Sequence, residues 1–359
     1  MNALNRIDSL KQAAFREGGF DGFLIFKNAN LVYFTGFSGA SALLIPKDGE
    51  KTIYVYSVNY EQMKAEGKAF RVELVKRDEN LMEKIVQQIS LFKIKRLAVD
   101  ALNIENWRIL SKFLGDEKLL GVDTGFIREL RKVKDENEIK LMRKAGEITS
   151  AGMRVAYECV AASMREYEVA AEIEYAMRKL GSYGTSFETI VASGSYSAFP
   201  HGGCSDRRIR EGDLVVVDVG ATYKYYHSDM TRTLVAGNPS EKQKKLFEIV
   251  KTAQEEAFKA IKPSVKAADV DGIARKIIAD AGYGKYFVHS VGHGVGVEVH
   301  EPPTLSPDSK DVLAVGNVVT VEPGLYLVGY GGVRIEDTVL VQKNGAVKLT
   351  DGAYVLDEV

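Results

Sequence analysis

Cysteine is almost missing from this chain. Cys159 and Cys204 are the two in 359 residues. They lie far apart without metal-ligand spacing, which excludes a disulfide framework and a thiolate cluster and suits free thiols in a reducing compartment. An excess of either charge is missing too: 48 Lys and Arg stand against 49 Asp and Glu, a formal net charge of −1. A polyanion partner is therefore disfavoured, and no nucleic acid is expected. No apolar run approaches the length needed to span a bilayer. The opening residues, MNALNRIDSLKQAAFREGG, read as a mixed-charge amphipathic helix without an apolar signal core. No membrane partner is expected, and the expected compartment is the cytoplasm. Tryptophan is limited to Trp107, read as packing in the first domain, and histidine to five residues, all between 201 and 300.

The length exceeds the usual single domain, so two cores are expected. From 20 to about 125, the β-rich runs GFLIF (22–26), ALLI (42–45), TIYVYS (52–57) and RLAVD (96–100) alternate with helical stretches such as the one carrying Leu81, Met82, Ile85, Val86 and Ile89. This is a small α/β domain. A charged passage, RELRKVKDENEIKLMRKA (128–145), follows, in which Asp135 and Glu138 have the spacing of a capping box that starts a new helix. The expected domains are 1–127 and 128–359. Within the second, helical pairs at 138–160 with 166–181 and at 241–261 with 267–281 suggest an internal repeat. It aligns Val169, Ile173, Ala176, Met177 and Gly181 with Val270, Ala274, Ile277, Ile278 and Gly282. Two such halves facing each other make a cleft.

Chemistry concentrates in the strands that follow each helical pair. GDLVVVDVGATYKYYHSDMTRTLVAG (212–237) puts Asp218 and Asp229 on two β-rich runs joined by a polar, aromatic turn. NVVTVEPGLYLVGYGGVRIEDTVLV (317–341) repeats the design with Glu322 and Glu336. A carboxylate set among Val and Gly is buried at a cost of several kcal/mol unless a cation compensates it. Any one of the four alone reads equally well as a salt-bridged strand-end acid. Four in one pattern, converging, repel strongly, and two divalent cations neutralise them by count. The stretch FVHSVGHGVGVEVHE adds His293 between Gly292 and Gly294, whose small bulk allows close approach. Oxygen ligands with one imidazole suit manganese, cobalt or zinc. A phosphate loop is disfavoured, because GHGVG lacks the glycine spacing and a following Lys-Ser/Thr pair. His227 reads as a side chain outside the ligand set.

The segments FPHGG, VDVGATYKYYHSDMTRT, HSVGHGVGVEVHE, VEPGLY and GGVRIEDT, in this order and spacing, resemble the pita-bread metallopeptidases, specifically the Xaa-Pro group that includes prolidase and aminopeptidase P. NLVYFTGFSG (30–39) resembles that group's N-terminal domain, so the resemblance covers essentially the whole chain. It implies an α/β (α+β) architecture, with a creatinase/prolidase-like, ribonuclease H-like domain followed by a pita-bread catalytic domain. It also implies that Asp218, Asp229, His293, Glu322 and Glu336 hold two divalent ions, Mn2+ or Co2+ ahead of Zn2+, with Asp229 and Glu336 contacting both. His201 and His300 match substrate-facing histidines, and His289 and Arg334 match positions near the proline-binding side. The implied reaction is hydrolysis of an Xaa-Pro bond by a hydroxide bridging the metals, with Glu322 as general base and His201 and His300 at the scissile carbonyl. A dipeptidase is expected ahead of an aminopeptidase P acting on longer peptides. A non-catalytic partner-binding relative is the alternative of another class, and the filled ligand positions argue against it. The resemblance further implies a homodimer, in which Tyr33, Phe34 and Phe37 either line an interface or cleft rim or pack in the small domain's core.

Overall fold

The computed structural model describes residues 3–115, 119–120 and 125–356. The chain divides into two compact units, Met1–Arg131 and Lys132–Val359.

In the first unit, the runs rich in β-branched and apolar residues become the strands Gly22–Ile25, Ala42–Pro46, Thr52–Tyr56 and Leu97–Val99, joined by Arg71–Val75 and Leu119–Leu120 in a six-stranded mixed sheet. Gly22–Ile25 pairs antiparallel with Ala42–Pro46 and parallel with Leu97–Val99. Helix Leu81–Leu91 buries Met82, Ile85 and Ile89 on one face, and the Asn80 side chain caps it by accepting from the N–H groups of Met82 and Glu83. NLVYFTGFSG forms a helix, Asn28–Thr35, that Gly36 ends at φ +74. Left-handed backbone there suits glycine. Tyr33, Phe34 and Phe37 are all buried, Phe34 completely, in line with core packing.

The second unit is built twice. Helices Glu136–Cys159 and Glu166–Lys179 precede the strands Ile190–Ser193, Leu214–Val219 and Met230–Val235. Helices Glu241–Ala260 and Ala267–Asp280 precede Gly292–Gly294, Val318–Val321 and Asp337–Gln342. Both long helices open with a capping box, Asp135 with Glu138 and Ser240 with Gln243. The repeat seen in sequence holds in packing: Val169, Ile173 and Met177 are buried like Val270, Ala274 and Ile278, and Gly181 and Gly282 follow at φ +98 and +87. The hairpin turn in the first half is a two-residue loop. Lys224 and Tyr225 both have positive φ, and Tyr223 pairs with Tyr226.

Strand register refines which positions are equivalent. Val215 faces Ser193, and Val319 faces Gly294, so Asp218 and Glu322 are true counterparts and Ala192 stands where His293 stands. The next strands differ from the sequence reading. Thr233 faces Val216 and Thr338 faces Thr320, which makes Thr231 the counterpart of Glu336 and Arg334 the counterpart of Asp229. The hydrogen bonds where the halves meet obey this symmetry. Thr338 Oγ1 accepts from Asp229 N at 3.0 Å and donates to Asp229 O at 2.8 Å. Thr233 Oγ1 does the same for Arg334, at 2.9 Å each way.

Candidate metal centre

The five expected ligands come from strand ends at this junction. Asp218 is the penultimate residue of Leu214–Val219, Asp229 precedes Met230–Val235, Glu322 follows Val318–Val321, Glu336 precedes Asp337–Gln342, and His293 is central in Gly292–Gly294. The flanking glycines have a reason that sequence did not show. A Cβ on Gly292 lies 2.1 Å from Thr320 O, and one on Gly294 lies 2.4 Å from Pro302 O. They permit close approach of backbone to backbone, and thereby set the depth of His293.

Asp229, Glu336 and His293 each place a donor atom within 4.8 Å of one another. Asp218 and Glu322 sit beside them, each engaged by a nitrogen donor of the protein. Asp218 Oδ2 accepts from Arg334 Nη2 at 2.6 Å, and Glu322 Oε1 lies 3.2 Å from His293 Nε2. Glu322 also accepts from Thr320 Oγ1 at 3.0 Å, and Glu336 Oε2 from Thr231 Oγ1 at 2.6 Å. Asp218 Oδ1, Asp229 Oδ1 and Glu336 Oε1 are buried and have no hydrogen-bond partner. An orphaned carboxylate oxygen in an apolar surrounding is expensive, and three of them converge here.

Proton affinities report the same deficit of positive charge. Burial, and then the Glu336, Asp218 and Glu322 carboxylates, raise Asp229 well above the usual range. Burial with Glu322 and Asp218 does the same to Glu336. For Glu322 burial pushes up as well, but the His293 hydrogen bond and charge prevail and bring it down to about 2. Burial lowers His293, and the adjoining Glu322 outweighs it and raises the imidazole. Three oxygens without donors, hard carboxylate ligands and one imidazole fit divalent cations held by Asp218, Asp229, His293, Glu322 and Glu336.

All nine residues singled out in the sequence line one cavity of about 570 Å³, which Phe187, Glu188, Ile190 and Pro200 also border. His201 is exposed. The His300 ring lies 4.2 Å from that of His293, centroid to centroid, and burial, followed by His293, lowers its pKa. His289 is tied at both nitrogens, Nδ1 to Ser290 O at 2.7 Å and Nε2 to Tyr326 OH at 2.9 Å. Arg334 Nη1 donates to that phenol oxygen at 2.8 Å. The phenol proton therefore points to His289 Nε2, and the imidazole keeps its own proton on Nδ1. Burial lowers the His289 pKa, which suits this neutral form. Arg334 is itself 3 % exposed. Its other bonds go to Pro200 O at 3.3 Å and Thr231 Oγ1 at 3.0 Å, so its fork is spent on Asp218 and its neighbours.

Sequence reasoning missed Tyr326, Thr231 and Thr320. Tyr326 was visible in VEPGLY, four residues after Glu322, but a tyrosine there reads as packing until its hydroxyl is seen between Arg334 and His289. His227, whose Nδ1 lies 3.0 Å from Thr222 Oγ1, is not among the cavity-lining residues. Cys204 donates to Thr189 O at 2.9 Å, and burial pushes its thiol up to about 11, the state of an inert packing thiol.

Comparison with known proteins agrees with this fold. Residues 6–133 match the creatinase/prolidase N-terminal domain and residues 140–343 match metallopeptidase family M24. An Xaa-Pro dipeptidase of Pyrococcus furiosus is 44% identical over 335 residues, 93% of this chain and 94% of its own. The structure of an Xaa-Pro dipeptidase from Bacillus anthracis superposes with a TM-score of 0.93 at 35% identity, covering 99% of each chain. That of an X-Pro aminopeptidase from Thermotoga maritima gives 0.86 at 38% identity, covering 95% of this chain and 98% of its own. A match over more than half the chain, with a fold and a buried acid cluster to suit it, means that this chain belongs to metallopeptidase family M24 and is a metal-dependent peptidase.

Proposed function

We propose that the protein hydrolyses Xaa-Pro dipeptides, with two divalent ions held by Asp218, Asp229, His293, Glu322 and Glu336. The observation that carries the metal site is the set of three buried, partnerless carboxylate oxygens on Asp218, Asp229 and Glu336, the last two residues grouped with His293 within ligand reach of one another. The relatives of like length and fold carry the substrate class. Ions bound there supply Lewis acidity and lower the pKa of water towards neutrality. The chain's own groups do the rest. Glu322 accepts the proton of the attacking water. His300 and His201 border the same cavity and supply N–H groups to the scissile carbonyl. Tyr326 and Arg334 hold Asp218 and His289 in place. A proline nitrogen carries no hydrogen in the peptide, so the residue after the scissile bond is recognised as a ring, for which Phe187, Ile190 and Pro200 offer apolar wall.

The deciding assay compares Met-Pro and Leu-Pro with non-prolyl dipeptides and with Xaa-Pro-Yaa, before and after removal of metal by chelator. Turnover confined to Xaa-Pro and lost with the metal is expected. Full turnover after chelation removes the metal assignment.

One observation favours a second reading, an aminopeptidase P. Arg334 is the sole Lys or Arg bordering the cavity among the described residues, and each of its guanidinium nitrogens already donates within the protein. Among the described residues bordering the cavity, no other Lys or Arg awaits the terminal carboxylate of a dipeptide. Equal or higher kcat/KM on the tripeptide establishes that reading.

The same proposal includes Mn2+ or Co2+ as the native metal, checked by elemental analysis, and catalysis by residues 128–359 with none of the metal in 1–127. A cytoplasmic homodimer is proposed from the family resemblance, and light scattering at assay concentration checks its size. Among the described residues no helix is long and apolar enough to cross a membrane.

A further inference from the structure

A second buried polar cluster adjoins the carboxylates and takes no part in the hydrolysis proposed for them. Arg232 and Asp337 are 1 % and 0 % exposed, and Arg232 Nη2 meets Asp337 Oδ1 at 2.9 Å. Strand register makes these two residues each other's counterparts, so the pair sits where the two halves of the unit meet. The guanidinium is fully used. Nε donates to Ala353 O at 3.1 Å, Nη1 to Thr231 O at 2.9 Å and Glu336 O at 2.6 Å, and Nη2 also to Gly352 O at 3.1 Å. Asp337 is equally engaged. Thr350 Oγ1 donates to Oδ1 at 3.0 Å, Gln254 Nε2 to Oδ2 at 3.2 Å, and Lys348 Nζ lies 2.9 Å from Oδ2. The Tyr354 hydroxyl donates to Oδ2 as well, and its ring lies 4.5 Å from the Arg232 guanidinium.

The placement of these bonds distinguishes the cluster from a packing salt bridge. The two strand carbonyls that Arg232 holds, Thr231 O and Glu336 O, belong to the residues that bond each other at the metal centre. Thr231 Oγ1 donates to the Glu336 carboxylate, and Glu336 N donates to Thr231 O at 3.0 Å. The segment Thr350–Tyr354 reaches the other acid too, because Thr350 Oγ1 accepts at 3.1 Å from the N–H of Thr338, whose hydroxyl bonds Asp229 O. A pair this deeply buried carries a desolvation cost that apolar packing avoids. What it adds is directional: it fixes two strand ends that carry like charges and repel.

We infer that the Arg232–Asp337 pair, with Thr350–Tyr354 fastened across it, is the positioning device that holds Glu336 against Asp229 at the spacing divalent cations require. This rests on the dinuclear reading of the site. It assigns Arg232, Asp337 and Tyr354 a role in metal affinity, although none of them is among the residues lining the cavity.

The test is a Co2+ titration of chelator-stripped protein, followed by calorimetry and by the visible absorption of the bound ion. Arg232→Lys keeps a charge beside Asp337 but loses the fork on the two carbonyls. It is expected to bind Co2+ about 10–100-fold more weakly, with altered band intensities. Tyr354→Phe removes one donor to Asp337 and is expected to weaken binding by less than about tenfold, a smaller effect of the same sign. Should Arg232→Lys not fold, Tyr354→Phe carries the test. Folded variants that melt at lower temperature yet titrate with parental affinity and spectrum overturn the inference, since a structural role alone moves only the melt. A parent protein that binds no Co2+ sinks the metal-centre reading itself, and the inference with it.

Discussion

The two halves of the second unit share helices, strand order and junction hydrogen bonds, yet position by position they carry different chemistry. Where the first half has Ala192, Asp229 and Thr231, the second has His293, Arg334 and Glu336, and only Asp218 and Glu322 are acids in both. Arg334 neutralises an acid of the first half, and His293 Nε2 lies 3.2 Å from Glu322 of its own half. The repeat supplies rigid strand ends pointing at one another. The departures from the repeat supply three of the proposed ligands, Asp229, His293 and Glu336, and the Arg334 counter-charge, so neither half alone holds the complete proposed site.

Substitutions that restore the symmetry break the site, and the largest effect is expected from Glu336→Thr, which copies Thr231 into the second half. It should remove bound metal and lower kcat/KM by more than about a thousandfold, the scale of losing a group that stabilises developing charge. Elemental analysis and turnover on Met-Pro check both, and stoichiometric metal with turnover intact contradicts the ligand assignment. Next in size is Arg334→Lys. A lysine keeps the charge but cannot bond Asp218, Tyr326 and Thr231 together, so kcat/KM should fall about 10–100-fold. An unchanged value means that Asp218 needs a charge nearby and no fork.

Gly294→Ala sharpens the comparison differently, because its counterpart Ser193 carries a side chain. The added Cβ meets Pro302 O at 2.4 Å, so a loss of about 1–3 kcal/mol in urea unfolding is expected. A neutral result shows that the strand yields. The smallest effects belong to the capping boxes that the halves share: Asp135→Ala and Ser240→Ala should each cost about 1 kcal/mol. Both should leave KM unchanged, and a KM shift in either ties helix entry to the cleft.

Much of this architecture is legible in the order of the amino acids. The Asp135 box, the helical pairs and the repeat of Val169, Ile173 and Met177 at Val270, Ala274 and Ile278 rest on local rules of capping and periodicity, which act within a turn or two of helix. The acids among valines and the histidine among glycines stand out because burying them makes no sense without a counter-ion. The partners do not stand out. Thr231 meets Glu336, Arg334 meets Asp218, and Tyr326 stands between His289 and Arg334. The first two contacts join residues more than 100 positions apart, and Tyr326 stands within a motif as one more aromatic.

What the sequence determined by itself is therefore the inventory: two α/β units' worth of strands and helices, the acids and histidines in an ordered set, and the charge deficit they bring if they meet. Only the tertiary structure decided that they do meet, and in which combination. It set Arg334, which also borders the cavity, against Asp218. It paired Thr231 with Glu336, and not the two hairpin acids with one another as counterparts. It brought Arg232, Asp337 and Tyr354 together in the same junction. The physical reason is register. Strand pairing has a period of two, so a one-residue shift turns a side chain to the opposite face, and register is set by contacts across the whole sheet that no local stretch of sequence contains.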